Sequence, residues 1–278
     1  MTGLIDTHAH LQLREFDKDR EAALERAWQA GLEAVVVLGV DQASSEAAIA
    51  MAEAHACVYA AAGCHPHDAA RLDQEGWRRL RELTQHPQVV AVGEIGLDFY
   101  RNLSPREVQV RVLEQELALA AELRLPVAVH CREAQDQMFP ILKRWSEDAR
   151  LLFGEGRLLG VMHYFSGDLR LAHRYVEMGF LISIHTSVTY PKSGELREVA
   201  SGLDMDCLVL ETDSPYGAPQ SQRGHRNEPA YVAEAAACVA ELRGLAVEEV
   251  ARQSSENAVR LFGLKPVRTS AGAGGRAW

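Results

Sequence analysis

The chain has 278 residues, of which 47% are apolar and 24% charged, ordinary proportions for a globular protein and enough for a sizeable core. Its 29 basic and 39 acidic residues leave a formal net charge of −10, which excludes loose electrostatic coating of nucleic acid but not a phosphate-bearing substrate held by local arginines or bound cations. The sequence shows no apolar run of about 18 residues, no basic-then-apolar leader and no Cys-x-x-Cys pair, so a reduced, cytoplasmic protein without a membrane span or obligate protein partner is expected.

The elements alternate from the start. Leu4-Ile5-Asp6-Thr7-His8-Ala9-His10 reads as a strand, and the period of two places His8 and His10 on one face together with Asp6. A helix is expected over 19–31, then a continuous apolar strand over 34–40, a run suited to a parallel strand covered on both faces. Helix 44–55 leads to a strand over 58–67 that ends in His65 and His67, and helix 75–83 to a strand over 89–94 that ends on Glu94. Ser104 and Pro105 read as the N-cap and first residue of a long helix reaching 123. Strand 126–130 ends on His130, helix 139–149 follows, and strand 158–163 ends on His163. Helix 168–178, strand 180–185, helix 195–201 and strand 207–213 complete eight strand–helix repeats, with two last helices over 229–242 and 247–262. The stretch 265–278, with its Ser-Ala-Gly-Ala-Gly-Gly run, lacks apolar mass and is expected to fray as a disordered tail.

Eight apolar strands with intervening helices are the count of a single-domain (β/α)8 TIM barrel over 1–264. A doubly wound open sheet is the rival, but it concentrates polar residues at one switch point, whereas here they stand at the C-terminal ends of nearly every strand. In a barrel those ends meet at one mouth. His8, His10, Glu94, His130, His163 and Asp213 then form one constellation, enough to hold two divalent ions with Glu94 between them. Such a site activates water towards a phosphoryl group, and Asp213, at the end of the last strand, is placed to accept the water's proton.

Several neighbours carry both a binding and a plain structural reading. His65 either donates to a substrate phosphate or belongs to a Gly-x-His-Pro turn, and Arg132 either grips a phosphate or pairs with Glu94 or Glu133. Ser166-Gly167 either opens a helix whose N–H groups bind an anion or caps it. Arg223, with Arg226, either binds phosphate or braces its loop against Glu228. Phe99, Tyr100, Tyr164 and Tyr216 either stack on unpaired bases or pack the mouth.

The blocks His8-Ala9-His10, Gly63-Cys64-His65-Pro66-His67, Gly93-Glu94-Ile95-Gly96-Leu97-Asp98, His130-Cys131-Arg132, His163-Tyr164-Phe165-Ser166-Gly167, Glu211-Thr212-Asp213-Ser214-Pro215-Tyr216 and Arg223-Gly224-His225-Arg226-Asn227-Glu228-Pro229 together resemble the TatD family of metal-dependent deoxyribonucleases, in the family's order across residues 4 to about 264. The resemblance implies an amidohydrolase-superfamily barrel with His8, His10, Glu94 and Asp213 around one ion and Glu94, His130 and His163 around the other. It implies 3′-to-5′ hydrolysis of DNA, at single-stranded or frayed ends, with RNA and aminoacyl-tRNA as further family substrates. Gln12 stands where the family usually has aspartate, and His185-Thr186-Ser187-Val188-Thr189-Tyr190 departs from the family's usual segment; His185 is read as a solvated residue in preference to a group in the cleft. The ligand types leave zinc, manganese, nickel, iron and magnesium open. Two other classes compete: a metal-dependent deacylase or amidohydrolase, and an inactive barrel serving as a scaffold. Glu94, where many cyclic-amide hydrolases use lysine, favours the phosphodiesterase, and six retained ligand types disfavour the scaffold.

Overall fold

The computed structural model of the chain describes residues 3–154 and 156–265; the expected tail, apart from Lys265, lies outside the described residues. Strands β1 (Leu4–Ala9), β2 (Leu32–Leu38), β3 (Val58–Ala62), β4 (Val89–Asp98), β5 (Val127–Arg132), β6 (Gly160–Met162), β7 (Phe180–His185) and β8 (Leu208–Glu211) pair in parallel, each with its successor. Helices α1 (Arg20–Gln29), α2 (Gln42–Ala54), α3 (Gln74–Leu83), α4 (Arg106–Leu123), α5 (Gln135–Phe153), α6 (Leu169–Glu177), α7 (Gly194–Gly202), α8 (Val232–Arg243) and α9 (Val247–Phe262) fill the gaps between and after them. The edges meet through Asp213 N–H donating to the His8 carbonyl at 2.8 Å and His10 N–H to the Ser214 carbonyl at 2.7 Å. The sheet is therefore a (β/α)8 barrel.

Alternation along the strands builds two dry layers. In β2, Val35 and Val37 join the layer between sheet and helices, while Ala34, Val36 and Leu38 join the layer inside the barrel. Small residues on neighbouring strands, Ala61, Ala91 and Ala128, leave room there for Ile5, Val161, Leu181 and Val209. Leu261, Phe262 and Leu264, from the end of α9 onward, close this inner layer at the N-terminal end. The opposite mouth is where the polar strand ends gather.

Two glycines bring the mouth's strands close. A Cβ on Gly63 would lie 2.7 Å from the Gly93 carbonyl carbon, and one on Gly96, whose φ is +149°, would lie 1.9 Å from the His130 carbonyl oxygen. Loop β3–α3 and strands β4 and β5 thus approach backbone to backbone where His65, Glu94 and His130 emerge.

The boundaries differ from the sequence reading where side chains outbid propensity. Ser104 does not cap α4: its hydroxyl donates to the His67 carbonyl at 2.9 Å and accepts from Ala70 N–H at 3.0 Å, and Pro105 takes the cap position. Helix α5 starts at Gln135, ahead of Pro140, because the Ala134 carbonyl accepts from Gln137 and Met138 before the proline's missing donor is felt. Ser166-Gly167 does not open α6. Asp168 does, accepting from Leu171 N–H at 2.7 Å.

Candidate metal centre and cleft

A cleft of about 610 Å³ occupies the mouth, and His10, His65, Glu94, His130, His163 and Asp213 line it with Arg132 and Ser166. His8 is buried beneath them, 1% exposed. The strict face expected for β1 is broken by a register shift between Asp6 and Ala9. His8 and His10 still converge, with their Nε2 atoms 3.2 Å apart, but Asp6 is drawn into the seam, where it accepts from Thr212 N–H at 2.9 Å and Thr212 Oγ1–H at 2.6 Å.

Glu94 stands at the centre. Its Oε2 lies 3.3 Å from both His8 Nε2 and His10 Nε2, while its Oε1 faces His130 Nδ1 at 2.9 Å, His163 Nε2 at 3.2 Å and His65 Nε2 at 3.4 Å. Asp213 Oδ1 completes the first group, 3.5 Å from His10 Nε2 and 3.8 Å from His8 Nε2. Ligand atoms of a tetrahedral site with bonds near 2.0–2.1 Å are separated by about 3.3 Å, which these spacings approach.

The protonation pattern gives an independent test of fit. His10 Nδ1 lies 2.9 Å from the Leu38 carbonyl, which only accepts, so Nδ1 carries the proton and Nε2 turns a lone pair towards Glu94, Asp213 and His8. His163 Nδ1 lies 3.1 Å from Glu211 Oε1, which also receives Tyr164 N–H at 2.7 Å, so His163 Nε2 likewise confronts Glu94 with a lone pair. Facing lone pairs need a cation between them, either protons or a metal ion. The titration behaviour says the same. Burial works against charge on His10, yet Asp213 and Glu94 push it up to about 10, and Glu211 with Glu94 raises His163 well above the imidazole range. Burial would raise Glu94, but His163, His65, His10 and His130 outweigh it and hold the carboxyl well below the usual range. The donor set fits divalent metal ions. Three groupings have metal-type spacing: His8 with Glu94 and His163; His8 with His10 and Asp213; His65 with Glu94 and His130.

The substrate-binding residues expected from sequence separate. His65 sits 8% exposed among the candidate ligands. Arg132 lines the cleft with its guanidinium 3.9 Å over the Tyr100 ring, and it pairs with neither Glu94 nor Glu133 among the described residues. Exposed Ser166 lines the cleft, its carbonyl accepting from Gln135 Nε2–H at 3.0 Å. Arg223 is exposed and is not among the residues that line the cleft. Its neighbour Arg226 braces the loop, with Nη1 2.7 Å from Asp19 and Nη2 2.8 Å from Glu228, while Arg26 holds Glu228 at 2.6 Å.

His185 corrects the solvated reading. It is 6% exposed, stacked on Tyr164 with centroids 3.7 Å apart, and burial lowers it to about 4. Sequence reasoning also passed over Glu211 and Asp98. Glu211 orients His163, and Asp98 Oδ2 meets His67 Nε2 at 2.9 Å and His130 Nε2 at 3.2 Å. An acid that continues the inward face of apolar β8 was the available signal for Glu211, since buried carboxylates need partners.

A (β/α)8 barrel whose mouth gathers five histidines and Asp213 around one central glutamate is the architecture of a metal-dependent hydrolase. Residues 5–263 match the family model described as TatD related DNase, and the chain belongs to that family. It is 38% identical over 259 residues to an uncharacterized metal-dependent hydrolase, YabD, of Bacillus subtilis, covering 93% of this chain and 98% of that protein. It is 38% identical over 267 residues to the 3′-5′ ssDNA/RNA exonuclease TatD of Erwinia amylovora, covering 94% and 100% of the two chains. The crystal structure of YJJV, a TatD homolog from Escherichia coli, superposes with a TM-score of 0.86 at 34% identity, covering 94% of this chain and 98% of that one.

Proposed function

We propose that the chain is a cytoplasmic 3′-to-5′ deoxyribonuclease that removes nucleotides from single-stranded or frayed DNA ends, with residues 1–264 as one catalytic domain. The carrying observation is that the two oxygens of Glu94 face two different sets of nitrogens, the arrangement a carboxylate needs to bridge two ions. His8, His10, Glu94 and Asp213 would hold one ion, and Glu94, His130 and His163 the other; zinc, manganese and magnesium are the candidates. Divalent cations there supply a nucleophilic water at neutral pH and positive charge facing the phosphoryl oxygens.

The protein's own part is positioning and proton transfer. Leu38 and Glu211 fix the tautomers of His10 and His163, so neither ring rotates when the site is filled. Arg132 and Ser166 stand at the cleft wall to receive the phosphate. Asp213 Oδ1 points at His8 and His10, leaving Oδ2 as proton acceptor as water adds to phosphorus. The bond from phosphorus to the 3′-oxygen then breaks, that oxygen takes up a proton, and a 5′-mononucleotide departs.

The test is hydrolysis of 5′-end-labelled single-stranded DNA by metal-stripped protein, with magnesium, manganese or zinc restored. Stepwise 3′ shortening that needs metal and falls roughly a hundred- to ten-thousandfold in Asp213→Ala is expected. Metal-loaded protein that leaves DNA intact but cleaves aminoacyl esters would replace this reading with the deacylase.

A further inference from the structure

Two exposed aromatic rings stand beside the cleft, Tyr216 in its wall and Tyr100 against the cleft-lining Arg132. Tyr100 is 57% exposed in the loop from β4 to α4, and Tyr216 is 53% exposed in the loop after β8, at the cleft wall. Neither ring belongs to the core, yet both backbones are pinned. Arg101 N–H donates to Asp98 Oδ1 at 2.7 Å beside Tyr100; Tyr216 N–H donates to the Asp213 carbonyl at 2.9 Å, and Asn227 Nδ2–H donates to the Tyr216 carbonyl at 2.6 Å. Arg132 covers one face of Tyr100 at 3.9 Å, and more than half of that residue's surface stays open. Arg101 and Arg132, both at the cleft wall, pair with no carboxylate among the described residues, although the chain carries −10 overall.

We propose that Tyr100, backed by Arg132, and Tyr216 form a base clamp, stacking on nucleobases of the strand end while the arginine charge holds the adjoining phosphate. The inference rests on the nuclease reading and deepens it by naming the residues that require unpaired bases. Rings carried on a fixed backbone lose only side-chain torsional freedom when they stack, and a ring under guanidinium presents its other face to a base as the cation reaches the backbone. A paired end offers its bases to the opposite strand instead, so the clamp selects single strands.

Two measurements test it: hydrolysis by the metal-loaded enzyme, and anisotropy binding of a phosphorothioate decathymidylate in the same metal. Each is repeated on an oligonucleotide whose last two residues are abasic. Tyr100→Leu and Tyr216→Leu are each expected to weaken binding and raise KM on the order of tenfold for the intact strand, with a much smaller change in kcat. Arg132→Gln is expected to lose several-fold. The abasic substrate costs the wild type a similar factor, and the losses do not add, because both remove the same stacking. Leu151→Ala, an exposed apolar residue on α5, controls for loss of surface apolarity. Full additivity, or tyrosine variants that bind like wild type while hydrolysis continues, overturns the clamp and leaves the nuclease standing. A wild type that binds intact and abasic strands equally overturns the clamp as well, and one that neither binds nor cleaves DNA overturns both.

Discussion

Glu116, on α4, is wholly buried, with Oε1 accepting from Cys64 N–H at 2.7 Å and Oε2 without a partner. Burial, opposed by that one N–H, raises its carboxyl well above 4.5, so the folded chain holds a proton that the unfolded chain releases. Its contribution is fully present below about pH 4.5 and is lost as pH rises towards the folded value, by about 1.4 kcal/mol per pH unit inside that window. Glu116→Gln keeps the acceptor for Cys64 and removes the ionisation. Urea denaturation is expected to show the variant gaining on wild type as pH rises above 5, with parallel curves if the carboxyl already ionises in the fold. The residue matters to the site because Cys64 precedes His65.

Barrel closure rests on few bonds. Between β1 and β8 the ladder is reduced to the bridge of Ala9 with Ser214; Thr7 Oγ1–H donates to the Leu210 carbonyl at 2.9 Å, and Asp6 accepts from Thr212 N–H and Thr212 Oγ1–H across the seam and from His8 N–H, on its own strand, at 3.2 Å. One side chain thus ties the strand bearing His8 to the segment bearing Asp213. Asp6→Ala strands three buried donors and is expected to cost about 2–5 kcal/mol in urea denaturation. A midpoint unchanged from wild type would assign closure to the backbone bonds and Thr7 without Asp6.

For the molecule as a whole, an acidic surface around a mouth with two unpaired arginines predicts association through few phosphates. The binding of single-stranded DNA at fixed divalent metal is expected to fall with monovalent salt with a log–log slope between about −1 and −2, since each neutralised phosphate contributes about −0.7. A slope steeper than about −4 would require a basic track extending well beyond the mouth. The five cysteines are all unpaired, so reductant is expected to leave this behaviour unchanged.

The sequence by itself determined the barrel and the inward-facing histidines and acids, because both depend on local periodicity: apolar runs spaced by helices, and polar residues where each run ends. Gly96 and Gly63 were legible as motif residues but not as contacts, since the carbonyl each approaches lies on another strand. The tertiary structure decided which atoms face which. It placed His65 among the candidate ligands, took Asp6 out of the mouth, used Arg226 as a brace, and buried His185 against Tyr164. Those outcomes turn on partners distant in sequence, such as Asp19 for Arg226 and Thr212 for Asp6. A buried charge or imidazole goes to whichever neighbour best offsets its desolvation, and the chain meets that neighbour only when it folds.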